Sequence, residues 1–85
     1  MSYYEKFASY RDMVGGSKSF QVIVCDINGM EYRSSFIPIE CYVEVIGLGE
    51  QAIVEGTSWS IWDNIHRRVC IFASGTISRI EVQFS

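Results

Sequence analysis

The segment FQVIVCDINGMEYRSSFIPIECYVEVI, Phe20 to Ile46, holds the reading on which the fold turns, and its centre is Asn28-Gly29. Asn-Gly between two runs of strand-forming residues signals a tight hairpin. A two-residue type I′ turn needs positive φ at both central positions, which Asn tolerates and Gly adopts freely. Phe20–Ile27 on one side is rich in Val and Ile, and Met30–Ile37 on the other carries Tyr32, Phe36 and Ile37. Such a loop also fixes the register. It sets Ile27 against Met30, Cys25 against Tyr32, Ile23 against Ser34 and Gln21 against Phe36. That largely apolar set is the expected core face.

Outward from the hairpin, Pro38 lacks an N–H, so the second strand must end, bulge or lie at an edge there. The small pair Ser34-Ser35 suits a strand that bends sharply. A third strand is expected over Tyr42–Leu48, closed by Gly47 and Gly49. Upstream, Tyr3, Phe7, Tyr10 and Val14 recur at helical spacing. Ser2 with Glu5 suits a capping box and Gly15-Gly16 an end, which predicts an amphipathic helix over 2–14. Downstream, GEQAIVEGTSWSIWDNIH (49–66) fits either a helical turn from Ser60 or a strand through Trp59 and Ile61, and is read as an excursion from the sheet. Val69–Ala73 reads as a strand buried on both faces. In Ile77–Phe84, Ile80, Val82 and Phe84 alternate with Arg79, Glu81 and Gln83, a half-buried strand. The order predicts a mainly β fold: a short N-terminal helix, then a strongly bent five-stranded antiparallel sheet or small open barrel.

A chain of 85 residues forms one domain, 1–85. With 48% hydrophobic and 20% charged residues it is globular rather than disordered. Aromatics reach 14%, more apolar surface than so small a chain hides with ease, so part of it is expected to serve an interface. No apolar run approaches the roughly 20 residues of a membrane helix, and the N-terminus lacks the basic-then-apolar layout of a signal peptide. The expectation is a cytoplasmic protein with no membrane contact. Cys25, Cys41 and Cys70 lie far apart with no CxxC pair, as buried reduced thiols do. A single histidine, His66, makes no zinc set. The net charge of −3 opposes non-specific nucleic-acid binding, which draws on Lys and Arg. Asp63, His66 and the serines could be assembled into a hydrolytic set. However, no phosphate loop, nucleophile elbow or metal set accompanies them, so no catalytic residue, cofactor or metal is assigned.

Two places in the chain resemble the Sm-like (Lsm/Hfq) family. Ile27-Asn28-Gly29-Met30-Glu31-Tyr32 resembles the centre of the first Sm motif, and Ile39-Glu40-Cys41-Tyr42-Val43-Glu44-Val45-Ile46 resembles its end, within 20–48. Ile71–Val82, within 69–84, is similar to the second motif, with a Gly75-to-Ile77 spacing closer to the bacterial Hfq form. Residues 49–66 would then be the variable loop. The resemblance implies homo-oligomeric rings of about five to seven subunits, joined through the fourth and fifth strands, closing head-to-tail contacts that would otherwise run on. It also implies binding of single-stranded RNA. Tyr42 falls where the family stacks a base, an interaction worth ~1–3 kcal/mol. Ser74 and Gly75 fall where the pocket is completed, Glu40 takes the place of the motif's Asp, and Arg79 or Lys18 lies around them. Glu44 stands where many members carry Asn, and Ser34 where they carry Gly. The alternative function is the same ring used as a protein-interaction or scaffold module, with a protein partner held through 49–66 and its two tryptophans.

Overall fold

The computed structural model describes residues 16–85, so the helix expected over 2–14 lies outside the described residues. Strand β1 (Ser19–Asp26) is the axis of the fold. It pairs antiparallel with β2 (Glu31–Arg33) and β3 (Ile37–Pro38) along one edge and with β6 (Ile77–Phe84) along the other. Between β3 and β6 the chain makes a 3-10 turn (Ile39–Cys41), helix α1 (Tyr42–Glu55) and a separate antiparallel ribbon of β4 (Trp59–Asp63) and β5 (Arg68–Phe72). The expected mainly β, antiparallel character is observed. The strands form two sheets, however, rather than one five-stranded sheet, and they do not close a barrel.

The hairpin forms where Asn28-Gly29 predicts it, with its register one residue from the expected one. Val24 lies opposite Tyr32 and Cys25 opposite Glu31. The cause is Asp26. Its Oδ1 accepts the backbone N–H groups of Asn28 and Met30, both at 2.9 Å, while Gly29 N–H donates to Asp26 O at 3.1 Å. Gly29 has φ 84°, whereas Asn28 is not in the left-handed region. This is a three-residue loop with one left-handed glycine rather than a type I′ turn. A slip of one residue exchanges the faces of a strand. Phe20, Val22 and Val24, each fully buried, therefore make the core face, while Ile27, Met30 and Phe36 are exposed. Farther along, the buried Ser34 bridges the break between β2 and β3. Its N–H donates to Val22 O and its Oγ accepts Val22 N–H, both at 2.9 Å.

The expected third strand over Tyr42–Leu48 is the first half of α1. Its β-branched Val43, Val45 and Ile46 suit a strand, but Tyr42, Val45, Ile46, Gly49 and Ala52 recur at helical spacing and face inward. Tertiary packing overrides the propensity cost. A Cβ on Gly49 would lie 2.8 Å from Ile80 Cδ1 and 2.9 Å from Trp59 Cη2, so glycine is what lets the indole seat on the helix. Gly56, left-handed, ends α1. The 49–66 excursion thus resolves into the second half of α1, a short connection, and β4 with its turn. The strand expected over Val69–Ala73 forms as Arg68–Phe72, but it is not doubly buried: Val69 and Ile71 face outward. The final strand matches its reading, with Ile80, Val82 and Phe84 packed against the core cluster of Phe20, Val22, Val24, Ile46, Ala52, Trp59, Ile61 and Phe72.

Gly49→Ala separates the two pressures on α1. Alanine is the better helix former by about 1 kcal/mol, yet overpacking against Trp59 and Ile80 costs roughly 1–3 kcal/mol. Thermal unfolding is expected to show a lower Tm for the variant. A higher Tm would mean that Trp59 does not seat on Gly49.

Candidate interaction surface

The alternation of β4 decides what the ribbon shows to solvent. Trp59, Ile61 and Asp63 point inward and are buried; Ser60 and Trp62 point outward. Ser60 pairs with Ile71 and Trp62 with Val69, so these four share the outer face. There Val69 is 63% exposed, Ile71 76% and Trp62 41%. Leu48 of α1, half exposed, continues the patch across a shallow cleft of about 400 Å³ lined also by Gln51, Ser60 and Ile71. Ile65, in the turn between β4 and β5, is exposed as well. Isolated apolar residues on a surface are ordinary; a contiguous set rimmed by polar groups marks an interaction site.

The inner face is fixed by a buried charge. Asp63 is fully buried. Its Oδ1 accepts the N–H groups of Ile65 and His66 at 3.1 and 3.3 Å. Its Oδ2 meets His66 Nδ1 at 2.8 Å and Arg68 Nε at 3.4 Å. Asn64 N–H then donates to Arg33 O at 2.8 Å, tying the tip to β2. The Arg68 guanidinium lies 5.9 Å from the Tyr32 ring centroid, and Tyr32 packs edge-on against Phe72 at 5.1 Å. These contacts hold the ribbon in one orientation, with its outer face turned to solvent.

The same contacts give the Asp63–His66 pair a structural role. The Cys70 thiol also donates to Asp63 Oδ2, across 4.0 Å. Among the described residues no group of His, Cys, Asp or Glu is placed to hold a metal ion.

The residues that the Sm-like resemblance points to are not brought together. Tyr42 opens α1, with Phe20 edge-on at 5.2 Å and Phe84 stacked at 5.5 Å, so aromatic neighbours occupy the ring that was expected to stack a base. Glu40, in the 3-10 turn, and Lys18, whose carbonyl accepts Ile39 N–H, lie at that end. Ser74 and Gly75 form the exposed turn before β6. Phe84 and Ile77 mark opposite ends of β6, roughly 23 Å apart at ~3.3 Å per residue. Arg79 lies between them, exposed and paired with Glu81 at 3.0 Å. Of the two tryptophans in 49–66, Trp59 belongs to the core and Trp62 to the surface. Sequence reasoning missed Leu48, Val69 and Ile71 as surface residues. An uninterrupted apolar run does not tell which of its faces a partner strand leaves open.

Burial alone would raise the Asp63 carboxyl. The hydrogen bonds from the His66 side chain, from the His66 and Ile65 backbone, and the imidazole's charge outweigh it and leave the carboxyl below the ordinary range. A depressed carboxyl contributes stability above its unfolded value and loses it as pH falls through the folded one. Tm is therefore expected to drop below pH ~4, with a shallower drop in Asp63→Asn. Asp26 keeps part of the slope: burial pushes its carboxyl up, and hydrogen bonds from Met30, Tyr32, Asn28 and Gly29 bring it below its usual value. An unchanged acid slope in the variant would show that the Asp63 clamp is not formed.

No helix of the described residues is long and apolar enough to cross a membrane. Comparison of the chain with protein families, with curated proteins and with solved structures finds no match.

Proposed function

We propose that the chain is a non-enzymatic interaction module whose working surface is the outer face of the β4–β5 ribbon. The observation that carries this reading is the shared exposure of Trp62, Val69 and Ile71 on one rigidly held face. Aromatic and aliphatic side chains in such a patch are what a protein partner covers, and their burial supplies most of the association energy. The module works in the cytoplasm, where Cys25, Cys41 and Cys70, all free thiols in the structure, stay reduced.

A second reading, a ring-forming Sm-like protein that binds single-stranded RNA, is favoured by one feature. The strands that the resemblance would join between subunits are β5 and β6, and each has an edge that no described strand occupies. Against it, the helix that replaces the third strand carries Glu44, Glu50 and Glu55 with no cation, a poor setting for phosphate.

Two measurements separate the readings. Titration with short oligo-U and oligo-A at low salt is expected to show no binding. Capture of a partner by the full chain is expected to be lost in Ile71→Lys and kept in Tyr42→Ala, with both variants melting cooperatively. Oligonucleotide binding that Tyr42→Ala abolishes would overturn the proposal in favour of the RNA reading.

A further inference from the structure

We infer that β5 is the edge through which two copies of the chain join, antiparallel about a two-fold axis at Cys70, so that both ribbons merge into one four-stranded sheet. This rests on the β4–β5 ribbon being the interaction surface, and it names the occupant.

A strand edge presents backbone N–H and C=O groups in a row, and only another extended strand satisfies the row as a whole. Two-stranded ribbons are marginal alone, and a third and fourth strand stabilise them. Among the described residues, β5 pairs with β4 alone and β6 with β1 alone, so each has an open edge. They differ in how that edge is guarded. On β6 the charged Arg79 and Glu81 fall mid-strand. On β5, Val69–Phe72 contains no charge, proline or bulge, which leaves it without the usual devices against pairing.

The chemistry of β5 is matched to itself. A two-fold axis at Cys70 sets Val69 against the partner's Ile71 and Ile71 against the partner's Val69. The two most exposed large hydrophobic side chains of the ribbon strands would then cover each other. Pairing β5 with β6 of another copy would instead bring mid-strand charges alongside these residues. The arrangement also keeps like charges apart. Arg68 lies two residues from the axis, so the two arginines are roughly 13 Å apart along the sheet at ~3.3 Å per residue, beyond a screening length of about 8–10 Å. Each is already offset by the carboxylate of its own Asp63. Trp62, on the outer face beside Val69, would flank the joined strip on both sides.

The axis puts the two Cys70 thiols directly opposite each other. Facing residues in such a pair have Cβ atoms about 4.5–5.5 Å apart, close to the roughly 3.8 Å a disulfide requires. The test uses the unaltered chain: light scattering across a concentration series, then oxidation with copper–phenanthroline and peptide mapping. The expected result is a dimer whose cross-link joins Cys70 to Cys70 and reverses with reductant. Cross-linking should fall several-fold when the thiol is moved by one position in the chain carrying Val69→Cys with Cys70→Ser. Ile71→Lys should return the mass to that of a monomer. A monomer at all concentrations, or a larger ring in which Cys70 does not cross-link to itself, would overturn the two-fold pairing. If that happens while Ile71→Lys still loses a captured partner, the interaction-module reading stands. If Ile71→Lys changes neither mass nor capture, both readings fail.

Discussion

Strand β1 has both edges occupied and both faces covered, and this constraint governs the rest of the molecule. Phe20, Val22 and Val24 are fully buried on one face, and Ile23 and Cys25 nearly so on the other. β6 runs along its whole length, whereas β2 and β3 share the opposite edge with a break at Ser34. A slip of β1 by one residue would place Gln21, Ile23 and Cys25 where Phe20, Val22 and Val24 now fit the core. Its register is therefore fixed, and the elements on its core face must fit around Phe20, Val22 and Val24. Helix α1 does so by bringing Ile46 and Ala52, and the β4–β5 ribbon by bringing Trp59, Ile61 and Phe72.

Where local chemistry and long-range pairing agree, the sequence is legible. Ile77–Phe84 alternates by itself and pairs as its alternation requires. The hairpin is legible in its existence and misleading by one residue in its register. Asp26, the residue that decides, acts through its side chain on two amides of the loop, an effect the Asn-Gly signal outranks on paper. The segment Tyr42–Leu48 is ambiguous because valine and isoleucine favour strands, and Gly47 within it and Gly49 just after it weaken a helix. The deciding fact, that Trp59 needs the space at Gly49, involves a residue ten positions away. Of the candidate surface, Trp62 was visible as an aromatic in a segment apart from the sheet. Val69 and Ile71 were not, since only the pairing of β5 with β4 and the inward turn of Phe72 show which face is left over.

A buried carboxylate at the far end of the ribbon looks at first like a functional group. Its geometry points elsewhere. Asp63 collects two backbone amides, an imidazole and a guanidinium, all from the five residues that follow it. A charge removed from water is tolerated only when so many donors replace the lost solvent. The result is a turn with one conformation, braced to β2 through Asn64 and to Tyr32 through Arg68. Rigidity at the tip matters because a surface that is ordered before association loses less entropy when it binds.

The charges around the apolar strip then decide what can cover it. Gln51 lines both the cleft beside Ile71 and a second, shallower one that it shares with Glu50, Val54 and Glu55. The flank toward α1 is therefore acidic. A polyanion approaching the strip from that side meets like charge, whereas a neutral or basic protein surface does not. Apolar centre, open strand edge and acidic flank together favour an extended, uncharged segment over a nucleic acid. The chain carries such a segment in Val69–Phe72 of its own β5.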